Sequence, residues 1–173
     1  MLEVGQIPLS VPGTAREGVA ALLQIGGTEL WVGSVHLKAG CRTDAPEVSE
    51  REACHILAAQ IPVLEAWIDA RLAQGLILGG DFNRTFSGFN RFQPSEDPVW
   101  ADLADGVPAQ LLAFPFAPQV TCPEGRYGEA TWPVDFVLAS ATLALRTAPG
   151  PYMQPQGGEA LSDHCPVVVA FQF

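Results

Sequence analysis

Residues 75–84 read Gly-Leu-Ile-Leu-Gly-Gly-Asp-Phe-Asn-Arg, a short apolar run that ends in two glycines and is followed by a carboxylate and an amide. The run at 76–78 predicts a buried strand. The two glycines permit a tight backbone turn and leave space for a ligand. Asp81 and Asn83 then fall in the loop at the end of the strand, where a rigid scaffold often carries its chemistry. Taken alone, the stretch leaves open a second interpretation, a solvated turn rich in Gly, Asp and Asn.

The segments before this strand predict a hairpin and a long helix. Residues 19–35 form two apolar runs around a Gly-Gly turn signal, and the second run delivers His36 at its end. A core histidine satisfied by a backbone carbonyl is the alternative for His36. Apolar residues recur at helical spacing within 46–72, where Pro62 is expected to kink or split the helix, and Gly75 ends it.

The segments after the central stretch predict an irregular excursion and then more strands. The predicted elements are an irregular stretch at 84–130 with a short helix near 99–103, and strands at 132–138, 143–146 and 165–171. Asp135 lies near the start of the first of these strands, and Asp163 and His164 immediately precede the last.

Length and composition indicate one globular domain over residues 1–173. The chain is 48% hydrophobic and 16% charged, which argues against disorder. No apolar run approaches the roughly 20 residues of a membrane span, and no signal peptide is expected in the sequence as it stands. The net charge of −10 argues against binding long polyanions through a basic face. It argues less against a hydrolase that meets phosphate through a metal ion, because the ion supplies local positive charge.

Polar side chains sort to particular ends of the predicted strands. His36 and Asp81 end two strands, whereas Asp135 and the pair Asp163 and His164 begin two others. If these strands run antiparallel in one sheet, all these positions fall on the same edge. Carboxylates and amides suit Mg²⁺ or Mn²⁺, and a histidine beside a carboxylate suits general acid/base catalysis. Such a set predicts metal-assisted hydrolysis of a phosphate ester.

Four motifs in this order carry a family resemblance. They are His-Leu-Lys at 36–38, Gly-Asp-Phe-Asn at 80–83, Val-Asp-Phe-Val at 134–137 and Ser-Asp-His-Cys-Pro-Val at 162–167. From about Val19 to Phe171 the chain resembles the endonuclease/exonuclease/phosphatase superfamily, which includes deoxyribonucleases, abasic-site endonucleases, inositol phosphatases and bacterial sphingomyelinases. The resemblance implies an α+β fold, a four-layer α/β/β/α sandwich of two mixed sheets with helices outside.

The resemblance implies a role on the substrate side for four residues. His36 would contact the scissile phosphate and stabilise its developing charge. Asp81 would orient or deprotonate the attacking water, and Asn83 would hold a phosphate oxygen. Arg84 would add a phosphate contact, with a solvated arginine as the equal alternative.

The same resemblance implies a metal site and a catalytic histidine. Asp163 would bind Mg²⁺ or Mn²⁺, with Asp81 and Asn83 as further candidate ligands. Asp135 would hydrogen-bond His164 and fix its tautomer, and His164 would act on the phosphate or the water.

The chain departs from the family pattern at its N-terminal side. The family's early strands and the glutamate that is its principal metal ligand are not matched, and Glu3 and Glu17 do not lie in a comparable strand-end context. We therefore expect this chain to be the C-terminal portion of a longer protein, or Met1 to be an internal start. Two functions follow: a metal-dependent phosphoesterase acting on a nucleic acid, lipid headgroup or small molecule, or an incomplete fragment that serves as a non-enzymatic binding domain.

The four cysteines bear on the compartment. Cys41, Cys54, Cys122 and Cys165 allow three disulfide connectivities, and four reduced thiols in a cytoplasmic protein are the alternative. Some secreted bacterial members of the resembled family are similar in placing cysteines in the loop after the histidine and in the following helix. This similarity predicts a Cys41–Cys54 bridge. Because Asp135 and His164 are expected to be neighbours, a Cys122–Cys165 bridge is predicted as well. Both bridges imply a parent protein in the periplasm or outside the cell.

Overall fold

The computed structural model describes residues 1–42, 44–84, 86, 97–106, 112–113, 134–144, 146–148 and 169–173. Its strands are β1 (Glu3–Ile7), β2 (Gly18–Ile25), β3 (Thr28–His36), β4 (Leu76–Asp81), β5 (Leu112–Ala113), β6 (Asp135–Ser140), β7 (Thr147–Ala148) and β8 (Ala170–Phe171). Its helices are α1 (Glu52–Leu72), α2 (Pro98–Leu103) and α3 (Ala141–Ala144).

Six strands form one mixed sheet in the order β1-β2-β3-β4-β6-β5. The strands from β1 to β3 are antiparallel neighbours, β3 and β4 are parallel, and β6 runs antiparallel to β4. The parallel pair requires a crossover connection, and α1 supplies it. The C-terminal ends of β3 and β4 therefore meet the N-terminal end of β6 at one edge of the sheet.

The two longer helices cover one face of this sheet. Trp31 and Val35 of β3 and Leu78 of β4 belong to the main buried cluster, together with Leu64 and Trp67 of α1. The edge of Trp67 packs on Trp31, with ring centroids 6.2 Å apart. Because Trp31 lies early in β3 and Trp67 lies late in α1, the helix runs back along the sheet from the edge at which β3 ends.

Helix α1 differs from its prediction in two respects. It begins at Glu52 rather than near Pro46, and it continues through Pro62 as one helix, so the expected split is wrong. Proline removes one backbone hydrogen bond, but Ile61 and Leu64 on either side of it are buried and hold the helix to the sheet.

The opposite face of the sheet carries a smaller cluster. Leu30, Ala139 and Leu143 are buried there, and Val32, Ile77 and Phe171 pack against them. Phe171 belongs to β8, which pairs with β7 in a separate two-stranded sheet. The mixed α+β architecture is confirmed, whereas the four-layer sandwich and the missing N-terminal part stay predictions.

Two short segments complete the fold. Residues 1–18 contain the edge strand β1. The strand expected at 143–146 is wrong, because residues 143 and 144 belong to α3 and the strand of this region, β7, begins only at Thr147. Alanine and leucine within α3 favour helix, which explains why that turn forms.

Candidate active site

Three candidate residues lie in one row across three neighbouring strands. His36 pairs in register with Asp81, and Asp81 pairs with Asp135. Adjacent strands lie about 4.8 Å apart, so the row brings the three side chains to one edge of the sheet. The convergence expected for His36, Asp81 and Asp135 is thus confirmed, although β3 and β4 are parallel rather than antiparallel. Asp163 and His164 lie outside the described residues.

Because side chains alternate along a strand, His36, Asp81 and Asp135 face away from the helices. Val35, Phe82 and Phe136, each next to a residue of the row, belong to the core beneath the helices. Successive side chains of a strand point to opposite faces. The histidine and the two aspartates therefore project from the face opposite α1, at the end of the sheet.

Gly80 allows β4 to approach β3 closely just before the row. Its φ is +141°, and a Cβ at this position would collide with the backbone oxygen of Val35. At Gly79 a Cβ would meet neighbours at an ordinary 3.8 Å. Both glycines lie inside β4, so the turn predicted at this point is wrong, and Gly80 serves strand pairing.

Asn83 holds the Asp81 carboxylate in place. The Asn83 backbone N–H donates to Asp81 Oδ1 at 2.7 Å, and Asn83 Nδ2 donates to Asp81 Oδ2 at 3.0 Å. The second Nδ2 donation goes to the backbone oxygen of Leu37, also at 3.0 Å. Asn83 has φ of +50°, a left-handed conformation that asparagine tolerates well.

These contacts decide which atom of Asn83 faces a ligand. Both Nδ2 protons point at acceptors, so the side-chain oxygen is the atom left for another partner. The amide oxygen of Asn83 accepts but does not donate, so it is suited to bind a cation and not to contact a phosphate oxygen. The geometry therefore favours the expected metal-ligand role of Asn83 over its expected phosphate contact.

His36 lies beside Asp81 and open to solvent. The distance from His36 Nε2 to Asp81 Oδ2 is 3.5 Å, and the two side chains are 55% and 16% exposed. An imidazole in this position can reach a bound ligand while Asp81 orients it. The alternative of a buried core histidine does not hold.

Arg84 does not face the site. Its side chain is 1% exposed and forms an ion pair with Asp97, with Nη2 to Oδ2 at 2.7 Å and Nε at 3.0 Å from both carboxylate oxygens. Its Nη1 donates to the backbone oxygens of Cys41, at 2.9 Å, and of Asp44. Arg84 is therefore committed to protein acceptors, which fits neither the expected phosphate contact nor a solvated arginine.

Two further features support the site, one predicted from the sequence and one not. The Cys41–Cys54 disulfide is present, with Cα atoms 4.9 Å apart, which confirms that pairing. Gln60 is fully buried in α1, accepts from the Lys38 N–H at 2.9 Å and donates to Leu9 O at 3.0 Å. An amide among the apolar residues of one helix face was the signal that could have revealed it. The predicted Cys122–Cys165 bridge lies outside the described residues.

The donor set at this edge fits a divalent cation. Asp81 supplies a carboxylate, and the oriented Asn83 supplies an amide oxygen. Such oxygen ligands match the preference of Mg²⁺ or Mn²⁺.

A second acidic group lies elsewhere and was not predicted. Carboxylate oxygens of Glu65, Asp69 and Asp105 lie within 4.8 Å of one another, a spacing that a metal ion could bridge. Glu65 and Asp69 follow Gln60 by five and nine residues in α1, so they lie about 7 and 13 Å further from the site edge. Burial, and then the neighbouring carboxylates, raise the pKa of Glu65, and burial followed by Asp105 raises the pKa of Asp69.

Comparison with known proteins supports the fold. No family model matches the chain, and no curated protein does. The solved structure of an AP endonuclease from Archaeoglobus fulgidus superposes with a TM-score of 0.59 at 17% sequence identity. The fold is similar to that of an AP endonuclease. The match covers 90% of this chain and 65% of the other, so the chain spans less than two thirds of that protein's length. At this identity the likeness concerns the fold alone.

Among the described residues, no helix is both long enough and apolar enough to cross a bilayer.

Proposed function

We propose that the protein is a divalent-metal-dependent phosphoesterase, nuclease-like or phosphatase-like, that hydrolyses a phosphodiester or phosphomonoester. The observation that carries the proposal is the row of His36, Asp81 and Asp135 in register, with Asn83 donating twice to Asp81. A carboxylate held by two donors beside an exposed imidazole suits proton transfer at a fixed geometry. The likeness to an AP endonuclease is consistent with this chemistry.

In the proposed reaction a water attacks phosphorus, and the bond from phosphorus to the leaving alcohol's oxygen breaks. Asp81 orients the water and accepts its proton. His36 donates to a phosphate oxygen on which charge develops. His164, with Asp135 as its hydrogen-bond partner, acts on the phosphate or the water, and the leaving oxygen takes up a proton to become the alcohol.

The proposed cofactor is Mg²⁺ or Mn²⁺. Asp163, Asp81 and Asn83 would hold it at the site edge, and when bound it supplies positive charge to the phosphate oxygens. The chain's own net charge is −10, so a bound cation also offsets repulsion between the protein and an anionic substrate.

The substrate remains one of three classes: a nucleic acid, a lipid headgroup or a small phosphate ester. The net negative charge of the chain argues against binding of a long nucleic-acid duplex through a basic surface. The Cys41–Cys54 bridge supports an oxidising compartment, the periplasm or the cell exterior, over the cytoplasm.

The experiment measures hydrolysis of bis(p-nitrophenyl) phosphate, p-nitrophenyl phosphate and plasmid DNA by the complete protein. EDTA should abolish turnover, and added Mg²⁺ or Mn²⁺ should restore it. Asp81→Ala and His164→Ala should each slow turnover by at least ~10²-fold. Glu65→Gln, in the distant acidic group, is the matched control and should retain the full rate.

Three outcomes count against the proposal. Near-normal rates in either site variant, or full activity in EDTA, would remove the mechanism. Absence of hydrolysis for all substrates at all metal concentrations would favour the alternative, a non-enzymatic binding domain.

A further inference from the structure

We propose that Arg84 is a positioning residue, whose buried guanidinium fixes the Asp81–Asn83 segment against the disulfide-closed loop that follows His36. The inference rests on the proposed function, because it assigns Arg84 a part in that same site. In this role Arg84 does not contact the substrate; it acts by holding neighbouring residues in place.

The first observation is the number of segments that meet at Arg84. Its guanidinium joins Asp97, at the start of α2, to the backbone oxygens of Cys41 and Asp44. The Asp97 carboxylate also caps α2, accepting from the Val99 N–H at 3.0 Å. One buried side chain thus ties the loop after β4, the loop after β3 and a helix terminus together.

The second observation is a separate link between the same two loops. Leu37 donates its N–H to Asp81 O at 2.9 Å, and its own oxygen accepts from Asn83 Nδ2 at 3.0 Å. Arg16 Nη1 donates to the same Leu37 oxygen at 3.0 Å. A shift of the loop after β3 would therefore move the acceptor that holds the Asn83 side chain.

The third observation is that the loop after β3 is itself anchored. The disulfide attaches Cys41 to Cys54 of α1, and Gln60 of α1 accepts from the Lys38 N–H. Arg84 therefore ties the Asp81–Asn83 segment to a part of the molecule held by a covalent bond and by buried hydrogen bonds. This arrangement is what precise placement of a reacting group requires.

The chemistry needs arginine at this position. Nε, Nη1 and Nη2 all donate, in different directions, from one planar group. A lysine ammonium is a compact charge that can stay near Asp97 but cannot reproduce this fork. Arg84→Lys should therefore keep the ion pair and lose the tie to the loop after β3.

The test compares stability with turnover in the complete protein. Arg84→Met removes the guanidinium that pairs with the buried Asp97 carboxylate and should lower the Tm strongly, whereas Arg84→Met with Asp97→Leu removes both charges and should recover part of the Tm. If Arg84 positions the site, kcat of the double variant and of Arg84→Lys should stay ~10- to 100-fold below wild type, with KM within about twofold. Arg71→Met is the control, because Arg71 packs on Trp31 and Trp67 at the far end of the sheet. It should lower the Tm and leave kcat unchanged.

A kcat that recovers together with the Tm in the double variant would overturn the proposal, as would a wild-type kcat in Arg84→Lys. Exchange of the Asn83 side-chain amide protons, followed by NMR, gives a readout that does not depend on catalysis. It should become at least ~10-fold faster in Arg84→Lys and in the double variant. If the wild-type protein hydrolyses no phosphate ester, the proposed function fails while this readout still decides the positioning role. Unchanged Asn83 exchange in both variants rejects that role.

Discussion

The molecule contains two groups of carboxylates, and they are built in opposite ways. At the site edge, Asp81 receives two hydrogen bonds from Asn83 and lies beside an imidazole. In the group on α1 and beyond α2, Glu65, Asp69 and Asp105 face one another.

The difference separates an organised site from a crowded surface. Donors aimed at a carboxylate fix its direction and stabilise its charge. In the second group, burial and then the neighbouring carboxylates raise the pKa of Glu65, and burial and then Asp105 raise the pKa of Asp69. Proximity of acids is therefore a weaker indication of chemistry than the donors that hold them.

The largest expected effect concerns the covalent anchor at the site end. Replacing Cys41 and Cys54 together by alanine should lower the free energy of unfolding by about 3 kcal/mol, because the bond closes a loop between residues 13 apart. Urea denaturation of the complete protein measures the loss. Reducing the wild-type protein should reproduce it, and an unchanged urea midpoint in both cases would mean that the bridge does not stabilise this end.

Neighbouring glycines at the site end provide a matched pair. Gly80→Ala should cost at least about 2 kcal/mol, because its φ is positive and its Cβ would meet the Val35 backbone oxygen. Gly79→Ala adds the same methyl group where neighbours lie at 3.8 Å and should cost less than about 1 kcal/mol. Thermal unfolding of both variants tests this order. Equal losses would show that the two strands do not approach as closely as described.

These glycines also show how far the sequence could lead. Its apolar run at 76–78 and its polar residues at strand ends were sufficient to place His36, Asp81 and Asp135 on one edge. The purpose of Gly80 was not predictable, because it depends on Val35, a residue of a different strand. The local sequence pattern does not reveal contacts of this kind, which join residues distant in the chain.

Arg84 and Pro62 illustrate the same limit. The burial of Arg84 follows from Asp97 and from backbone oxygens 40 and 43 residues earlier in the chain. Pro62 does not end α1, because tertiary packing outweighs a local helix-breaking preference. Periodicity predicted most of the helix, and packing decided where it begins and whether it continues.

A smaller effect is expected from the crowded acidic group. The folded protein disfavours ionised Glu65, whose pKa is raised by burial and by Asp105, Asp69 and Asp102. This penalty is present above the raised pKa and vanishes below the ordinary value of about 4.3. Glu65→Gln should therefore stabilise the protein at pH 7 by no more than about 1 kcal/mol, and the gain should shrink as the pH falls towards 4.

Urea denaturation at several pH values measures this gain. Glu29→Gln, at an exposed position of β3, is the control and should change stability little at any pH. A gain for Glu65→Gln that persisted unchanged at pH 4 would contradict the electrostatic explanation.

The most direct test of the account is the location at which a divalent ion binds. Mn²⁺ broadens the NMR signals of nearby nuclei, so a titration of the ¹⁵N-labelled complete protein compares the two acidic groups in one experiment. If the proposed metal site is correct, the signals of 36–38 and 81–83 broaden first, and Asp81→Ala weakens this effect, whereas Glu65→Gln does not. Broadening that begins at Glu65, Asp69 and Asp105 while the signals of 36–38 and 81–83 stay sharp would contradict it.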